Sequence, residues 1–403
     1  MQNILNTKQF SGKIIRTELI IPYTKEDHAY FIFLSELLNL SSKKYPITRE
    51  LIKIREELYD ATIKLKVLLR GQDIILQINL LYLNILNLEE EKKCIELLKE
   101  IITNPNINNH EWNYEDFNYA KNIIDHEYQM YEDDPKGCAY QEALAFFTPN
   151  TGLGGFGTGI YEELKKITAK KIAVYYEDFM KKAQMQYFGM GNFSDALQKH
   201  LKSIFKIEFD KRELCENKLI TNPKIAKKTK KLNNQQTIVH LSFKIQNMSK
   251  YEAEYVLPIF DDLFGGSVGT GKLFNKIREE KGYAYYAYSK NISFTNLIMV
   301  VVGTKNKFVD DVVLLANQAL KEIQNGEIND EFIPQLLNVY LQKLDTVYDQ
   351  PKLLFNQFIK EYNGMVDSIA QKKEFYQTIT KDKIIKLAKK INMDAIYILE
   401  GED

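Results

Sequence analysis

The residue types that come closest to chemistry in this chain lie in Gly265-Gly266-Ser267-Val268-Gly269-Thr270-Gly271-Lys272-Leu273. Gly266, Gly271 and Lys272 have the spacing of a loop that wraps backbone N–H groups around a phosphate. Such a loop ends in Ser or Thr, whose hydroxyl holds magnesium, and here that place is taken by Leu273. It must also follow a buried strand, whereas residues 255–264 carry apolar side chains at helical spacing. The later apolar run 297–302 ends in Gly303-Thr304-Lys305, with no acid to hold a metal. Nucleotide binding is therefore set aside, and the plain role of these glycines is a tight turn. Past the turn, Arg278 is followed seven residues later by Tyr285. A guanidinium presents several fixed donors and a phenol adds one. The competing assignment puts Arg278 in a helical ion-pair array with Glu279 and Glu280, and makes Tyr285 a packed strand tyrosine.

No other residue set offers a complete centre. His28, His110, His126, His200 and His240 are scattered. His126 neighbours Glu127, but adjacent helical side chains point about 100° apart and do not converge on one metal. Cys94, Cys138 and Cys215 are odd in number and widely spaced, which suggests buried small hydrophobes in a reducing compartment. The 54 Lys and Arg balance 54 Asp and Glu, so no net field favours nucleic acid or anionic lipid. No apolar run approaches the roughly 18 residues of a spanning helix. The first residues lack a charged-then-apolar leader, so the expectation is a soluble cytoplasmic protein.

The elements that must position Arg278 and Tyr285 are written twice. Lys53-Ile54-Arg55-Glu56-Glu57 recurs as Lys276-Ile277-Arg278-Glu279-Glu280, an offset of 276 − 53 = 223. Upstream, a strand pattern at 14–21 and a helix at 29–40 correspond to a strand at 237–243 and a helix at 253–264. Further strands are expected at 73–82 and 292–302, and long helices at 89–102, 114–133, 308–325, 330–349 and 350–365. Short strands close each half at 185–191 and 395–399. The fold class that follows is α+β, two tandem units each with a mixed, mainly antiparallel sheet covered by helices. Residues 1–209 and 235–403 are the expected domains. Residues 210–234, with Lys224, Lys227, Lys228, Lys230 and Lys231, are the expected solvated linker.

Three more stretches join the repeat and the Gly–Arg–Tyr segment. They are Ala120-Lys121-Asn122-Ile123-Ile124-Asp125-His126-Glu127-Tyr128-Gln129-Met130-Tyr131, then Gly152-Leu153-Gly154-Gly155-Phe156-Gly157-Thr158-Gly159, and finally Gly189-Met190-Gly191-Asn192. In this order they resemble the insulinase/pitrilysin family over nearly the whole chain. The resemblance implies two homologous α/β-roll domains and a clam-like pair of such chains closing on an unfolded peptide. Active members hold zinc with an inverted His-x-x-Glu-His on the first domain's helix plus a later Glu.

That chemistry is missing here. The equivalent helix reads Phe31-Ile32-Phe33-Leu34-Ser35-Glu36-Leu37-Leu38. With Glu36 in the place of the general base, Phe33 and Leu37 replace both histidines. Glu127 matches the later zinc-ligand glutamate, while the glutamate usual seven residues earlier is Ala120. A catalytic zinc needs three protein ligands and an open position, so no metal or cofactor is expected in this chain. The resemblance further implies that Arg278 and Tyr285, set by Gly265 and Gly266, hold substrate carbonyls. Some bacterial members divide zinc and the Arg/Tyr pair between two chains. This chain is then expected to be the non-catalytic, peptide-binding subunit, inactive alone, whose partners are a zinc-bearing homologue and a peptide. A homodimer in isolation is also open. The alternative is a peptide-binding or assembly protein of the same fold without proteolytic role.

Overall fold

The computed structural model describes residues 3–205, 217, 219, 224–231, 236–266 and 271–401. Along the first half run β1 (Ile4–Asn6), β2 (Gly12–Pro22), α1 (Lys25–Leu37), α2 (Thr48–Glu57), β3 (Thr62–Arg70), β4 (Asp73–Leu83) and α3 (Leu88–Thr103). A small hairpin of β5 (Ile107–Asn108) and β6 (Glu111–Trp112) leads to α4 (Tyr114–Glu132), α5 (Pro135–Phe147), α6 (Tyr161–Leu164), α7 (Ala169–Lys182), β7 (Gln184–Gly191) and α8 (Asp195–Ile204). The second half holds β8 (Ala226–Lys231), β9 (Thr237–Ile245), α9 (Leu257–Phe264), α10 (Lys272–Phe274), β10 (Ala284–Ile292) and β11 (Leu297–Thr304). It continues with α11 (Val309–Gln324), α12 (Phe332–Asp345), α13 (Pro351–Tyr362), α14 (Ile369–Gln377), α15 (Lys381–Ala388) and β12 (Ile391–Glu400).

One sheet has the order β1–β7–β2–β4–β3 and the other β8–β12–β9–β11–β10. Each therefore arranges the strands of its half as first, last, second, fourth, third. In both, the first and last strands pair in parallel and the other pairs are antiparallel. The duplication seen in five residues extends through the whole topology. Local chemistry sets the turns. Arg70 pairs with Asp73 across a two-residue connection in which Gly71 has φ 59°, a conformation glycine adopts without steric cost.

Two expectations change. The strand expected at 292–302 is the end of β10, a tight turn and β11. Phe294 sits at φ 59° in that turn, and the Asn296 side chain donates to Ile245 O at 3.0 Å. Within the expected linker, Ala226–Lys231 is an edge strand paired with β12. Its lysines suit an exposed edge, where charge discourages pairing with a further chain. Apart from residues 217, 219 and 224–231, the rest of 210–234 lies outside the described residues.

The chain forms two compact units, and neither is contiguous. One is Met1–Tyr131, Gly159–Cys215 and Phe355–Met365; the other is Glu132–Thr158, Glu216–Leu354 and Val366–Asp403. Each half thus lends a helix to the other half's unit: α5 belongs to the second, and most of α13 to the first. The reason is visible in β9 and β11, where every residue is buried. Val239, Leu241, Phe243, Val300 and Val302 pack on one face into the main core. Ile238, Met299 and Val301 face the other way, into a cluster with Ala139, Ala143, Leu144 and Phe147 of α5. In the first unit, Phe355 and Ile359 of α13 are buried. There the Phe188 ring of β7 meets Phe358 and Tyr362 edge-on, and Arg16 of β2 lies 5.0 Å from the Phe355 ring centre and donates to Asn356 Oδ1 at 2.8 Å.

Phe147→Ala removes a ring that is 1% exposed. It is expected to cost about 3–5 kcal/mol of stability, read as a lower urea midpoint, whereas Leu314→Ala on the exposed face of α11 should change it little.

Candidate functional site

The residues expected to stand in the place of a zinc motif lie on α1. Thr24 caps its N-terminus by accepting from Asp27 N at 3.0 Å. Phe33 and Leu37, in the two histidine places, are core residues at 2% and 0% exposure. Phe33 stacks on Phe117 of α4, ring centres 5.3 Å apart and 2° from parallel. Neither side chain has a donor atom for a metal, so the residues present do not fit zinc. Among the described residues no group of three His, Cys, Asp or Glu could hold a metal ion. Glu36 is half-buried, and α4 carries Glu127 close enough for its charge to matter. Burial first, and Glu127 second, raise the Glu36 carboxyl above its ordinary value. Partial desolvation also raises Glu127, although its side chain is exposed, and nearby His126 opposes the shift.

The histidines have other surroundings. Burial drives His28 down to about 4 and His240 to about 3, so both are neutral near pH 7. His110 Nδ1 lies 2.8 Å from Glu177 on the surface, and His200 Nε2 lies 3.8 Å from Glu96.

The second candidate position is built from α9 to β10. Two amides, Gly265 N and Gly266 N, donate to Asp261 O at 2.9 and 3.0 Å, ending α9. A Cβ at Gly265 would lie 2.4 Å from Ser289 Oγ and 2.5 Å from Ser289 N, and one at Gly266 2.7 Å from Asp262 O. Both glycines are buried, and what they visibly accomplish is to seat the turn against β10. Residues 267–270 lie outside the described residues. After α10 the helix widens into a π-helical turn, Asn275–Glu280, that carries Arg278. Lys272 and Lys276 bind Glu322 of α11 at 2.8 and 2.5 Å, fixing this helix from beneath. The Arg278 side chain stays 47% exposed. Its guanidinium lies 5.0 Å from the Phe274 ring centre, and its Nε is 3.9 Å from Glu279, too long for a hydrogen bond.

Tyr285 is 59% exposed. Ala284 pairs with Thr304 and Tyr286 with Gly303, so Tyr285 is the extra residue of a β-bulge. Bulges re-aim a side chain out of the regular alternation. Here the bulge leaves Ala284 and Ala287 on the main core and turns Tyr286 and Tyr288 to the opposite cluster. The π turn packs against β10, so both donors stand on adjoining irregular elements, exposed to solvent. The first copy differs. Arg55 is half-buried, bonds Asn39 Oδ1 at 2.6 Å, and has its pKa lowered by burial. The same five residues thus turn one arginine inward and leave the other outside.

Sequence reasoning missed the bulge and its neighbour Tyr286. A Cβ at Gly303 would lie 2.4 Å from the Tyr286 ring, so the glycine lets that ring cross the strand. A lone glycine in a valine-rich strand was the available signal.

Residues 166–339 match the family described as the peptidase M16 inactive domain. The match covers less than half of the chain, and with the fold it agrees with the insulinase/pitrilysin resemblance drawn from the sequence. Among relatives, "Probable inactive metalloprotease YmfF" of Bacillus subtilis (strain 168) is 23% identical over 412 residues, spanning 100% of this chain and 96% of that one. A conserved protein of Enterococcus faecalis V583 has a TM-score of 0.89 at 21% identity, covering 99% of this chain and 96% of that one. The periplasmic protease PqqL from Escherichia coli shares the fold at a TM-score of 0.73 and 13% identity. Its match covers 99% of this chain but only 44% of PqqL.

The Glu36 pKa yields a signed expectation. A carboxyl whose folded pKa is raised costs stability once pH rises above its unfolded pKa and costs nothing below it. Glu36→Gln should therefore raise the unfolding temperature near pH 7, and the gain should vanish below about pH 4. Calorimetry across that range checks it, and a gain independent of pH would assign the effect to packing instead.

Proposed function

We propose that this chain is the non-catalytic, peptide-holding subunit of an M16-type metallopeptidase, paired with a zinc-bearing homologue. Arg278 and Tyr285 present their donors to peptide carbonyls, and the partner supplies metal and general base. One observation carries the reading: both side chains are exposed, and each is set by a local irregularity, the π turn and the β-bulge. Such irregularities cluster at functional positions. The long approach to Glu279 leaves the guanidinium available. That this fold spans about half of PqqL accords with a working unit made of two such chains. Gly265 and Gly266 serve it by seating the turn. Cys94 and Cys138 are buried and in no disulfide, which fits a reducing compartment, and we place the pair in the cytoplasm. No described helix is long and apolar enough to cross a membrane.

The test is peptide hydrolysis by this chain, by a His-x-x-Glu-His-bearing homologue from the same cell, and by their mixture. Activity is expected to depend on the mixture. A charge-assisted hydrogen bond is worth about 1.5–3 kcal/mol, so Arg278→Ala should lower kcat/KM roughly ten- to a hundredfold while leaving the unfolding temperature unchanged. A mixture no more active than the homologue alone would overturn the reading and favour a binding or assembly role.

A further inference from the structure

The second unit contains a cavity that the Arg278–Tyr285 position does not use. It has a volume of about 220 Å³ and is lined by Lys136, Tyr140, His240, Tyr286, Tyr288 and Val301, among others. It opens between the start of α5 and the sheet face of β9, β10 and β11. Three tyrosines form its walls, with the Tyr286 and Tyr288 ring centres 6.2 Å apart. The buried polar residue of the lining is His240, 1% exposed, and its Nδ1 has no hydrogen-bond partner among the described residues. Tyr140 and Tyr397 meet that imidazole edge-on, at ring-centre distances of 6.3 and 6.0 Å, and neither donates to its Nδ1. Buried polar atoms ordinarily find a partner, and an orphan one marks a place where a ligand or water belongs. The exposed Lys136 places its ammonium 5.8 Å from the Tyr286 ring centre. Among the described residues, no carboxylate forms an ion pair with it. Asp134, two residues before, is occupied as the helix cap, accepting from Lys136 N at 3.2 Å.

The pieces are complementary to one chemistry. Aromatic walls favour an aromatic ring, by edge and face contacts. An unpaired ammonium beside them favours an anion. The volume is below that of a pocket for a drug-sized ligand and suits a single residue. We propose that this cavity binds an aryl group with a neighbouring carboxylate, the ring among Tyr140, Tyr286 and Tyr288 and the carboxylate on Lys136. Two sources carry that chemistry: a small aromatic acid, or the C-terminal Phe or Tyr of a peptide. In the second form the proposal rests on the peptide-holding reading above and adds the residue that is recognised.

Titration calorimetry on the purified full chain tests it with four probes: N-acetyl-phenylalanine, its amide, a hexapeptide ending in Phe, and the same peptide amidated. At least one free acid is expected to bind saturably, and its amide at least tenfold more weakly. Lys136→Met, a change at an exposed position, should abolish the difference between acid and amide. Tighter binding of the peptide acid than of N-acetyl-phenylalanine identifies a peptide terminus as the ligand; equal binding identifies the aryl acid alone. Absence of saturable binding by either acid, equal affinity for acid and amide, or indifference to Lys136→Met would each overturn the proposal. Arg278→Ala should leave these affinities unchanged, so a failure here is separable from a failure of the subunit reading.

Discussion

The constraint on which the rest depends is the cover of two sheet faces. A strand such as β9, buried at every residue, is stable only with apolar cover above and below it. Neither half of this chain supplies both layers. The missing layer comes from the other half: α5 closes the outer face of the second sheet, and α13 packs within the first unit. In element order these two helices are counterparts, each the third α-helix after the long hairpin of its half, so the exchange is reciprocal. The cavity lined by Lys136 and Tyr140 arises from the same fact, since it lies where α5 begins to cross the sheet.

The helix α1 contributes packing where the family resemblance would place metal chemistry. Phe33 and Leu37, which the resemblance would set in the places of imidazoles, are core residues. A buried aromatic or leucine side chain contributes about 1.5–3 kcal/mol relative to an exposed one. Imidazoles without their metal would have to be buried neutral or hydrogen-bonded. Glu127 repels the Glu36 carboxylate and, after burial, helps raise its pKa. The helix is therefore apolar at Phe33 and Leu37 and polar at Glu36.

Much of this was legible in the chain. The recurrence of Lys-Ile-Arg-Glu-Glu gave the duplication, and helical and alternating patterns gave most strands and helices. The absent histidines could be read directly, because a metal motif is a local spacing. The exchange of α5 and α13 could not be read, since an apolar helical stripe does not say which sheet it will meet. Ala226–Lys231 was hidden because a lysine-rich edge strand has the composition of a loop. The separate fates of Arg55 and Arg278 were also out of reach. Identical neighbours surround both, and only the tertiary position of Asn39 and the π turn distinguishes them. Tyr285 was found by spacing, whereas its bulge depends on pairing with β11.

The exchanged helices have a consequence for synthesis. A ribosome delivers α5 well before β9 and β11, the strands its apolar stripe covers. It delivers β2 and β7 well before α13. The first half therefore leaves the exit tunnel with one helix unhoused and one sheet face bare, and vectorial domain-by-domain folding cannot finish until residues near 362 have emerged. For most of its translation the nascent chain carries two sticky surfaces that only its own later sequence can cover, which makes the second half an intramolecular chaperone for the first.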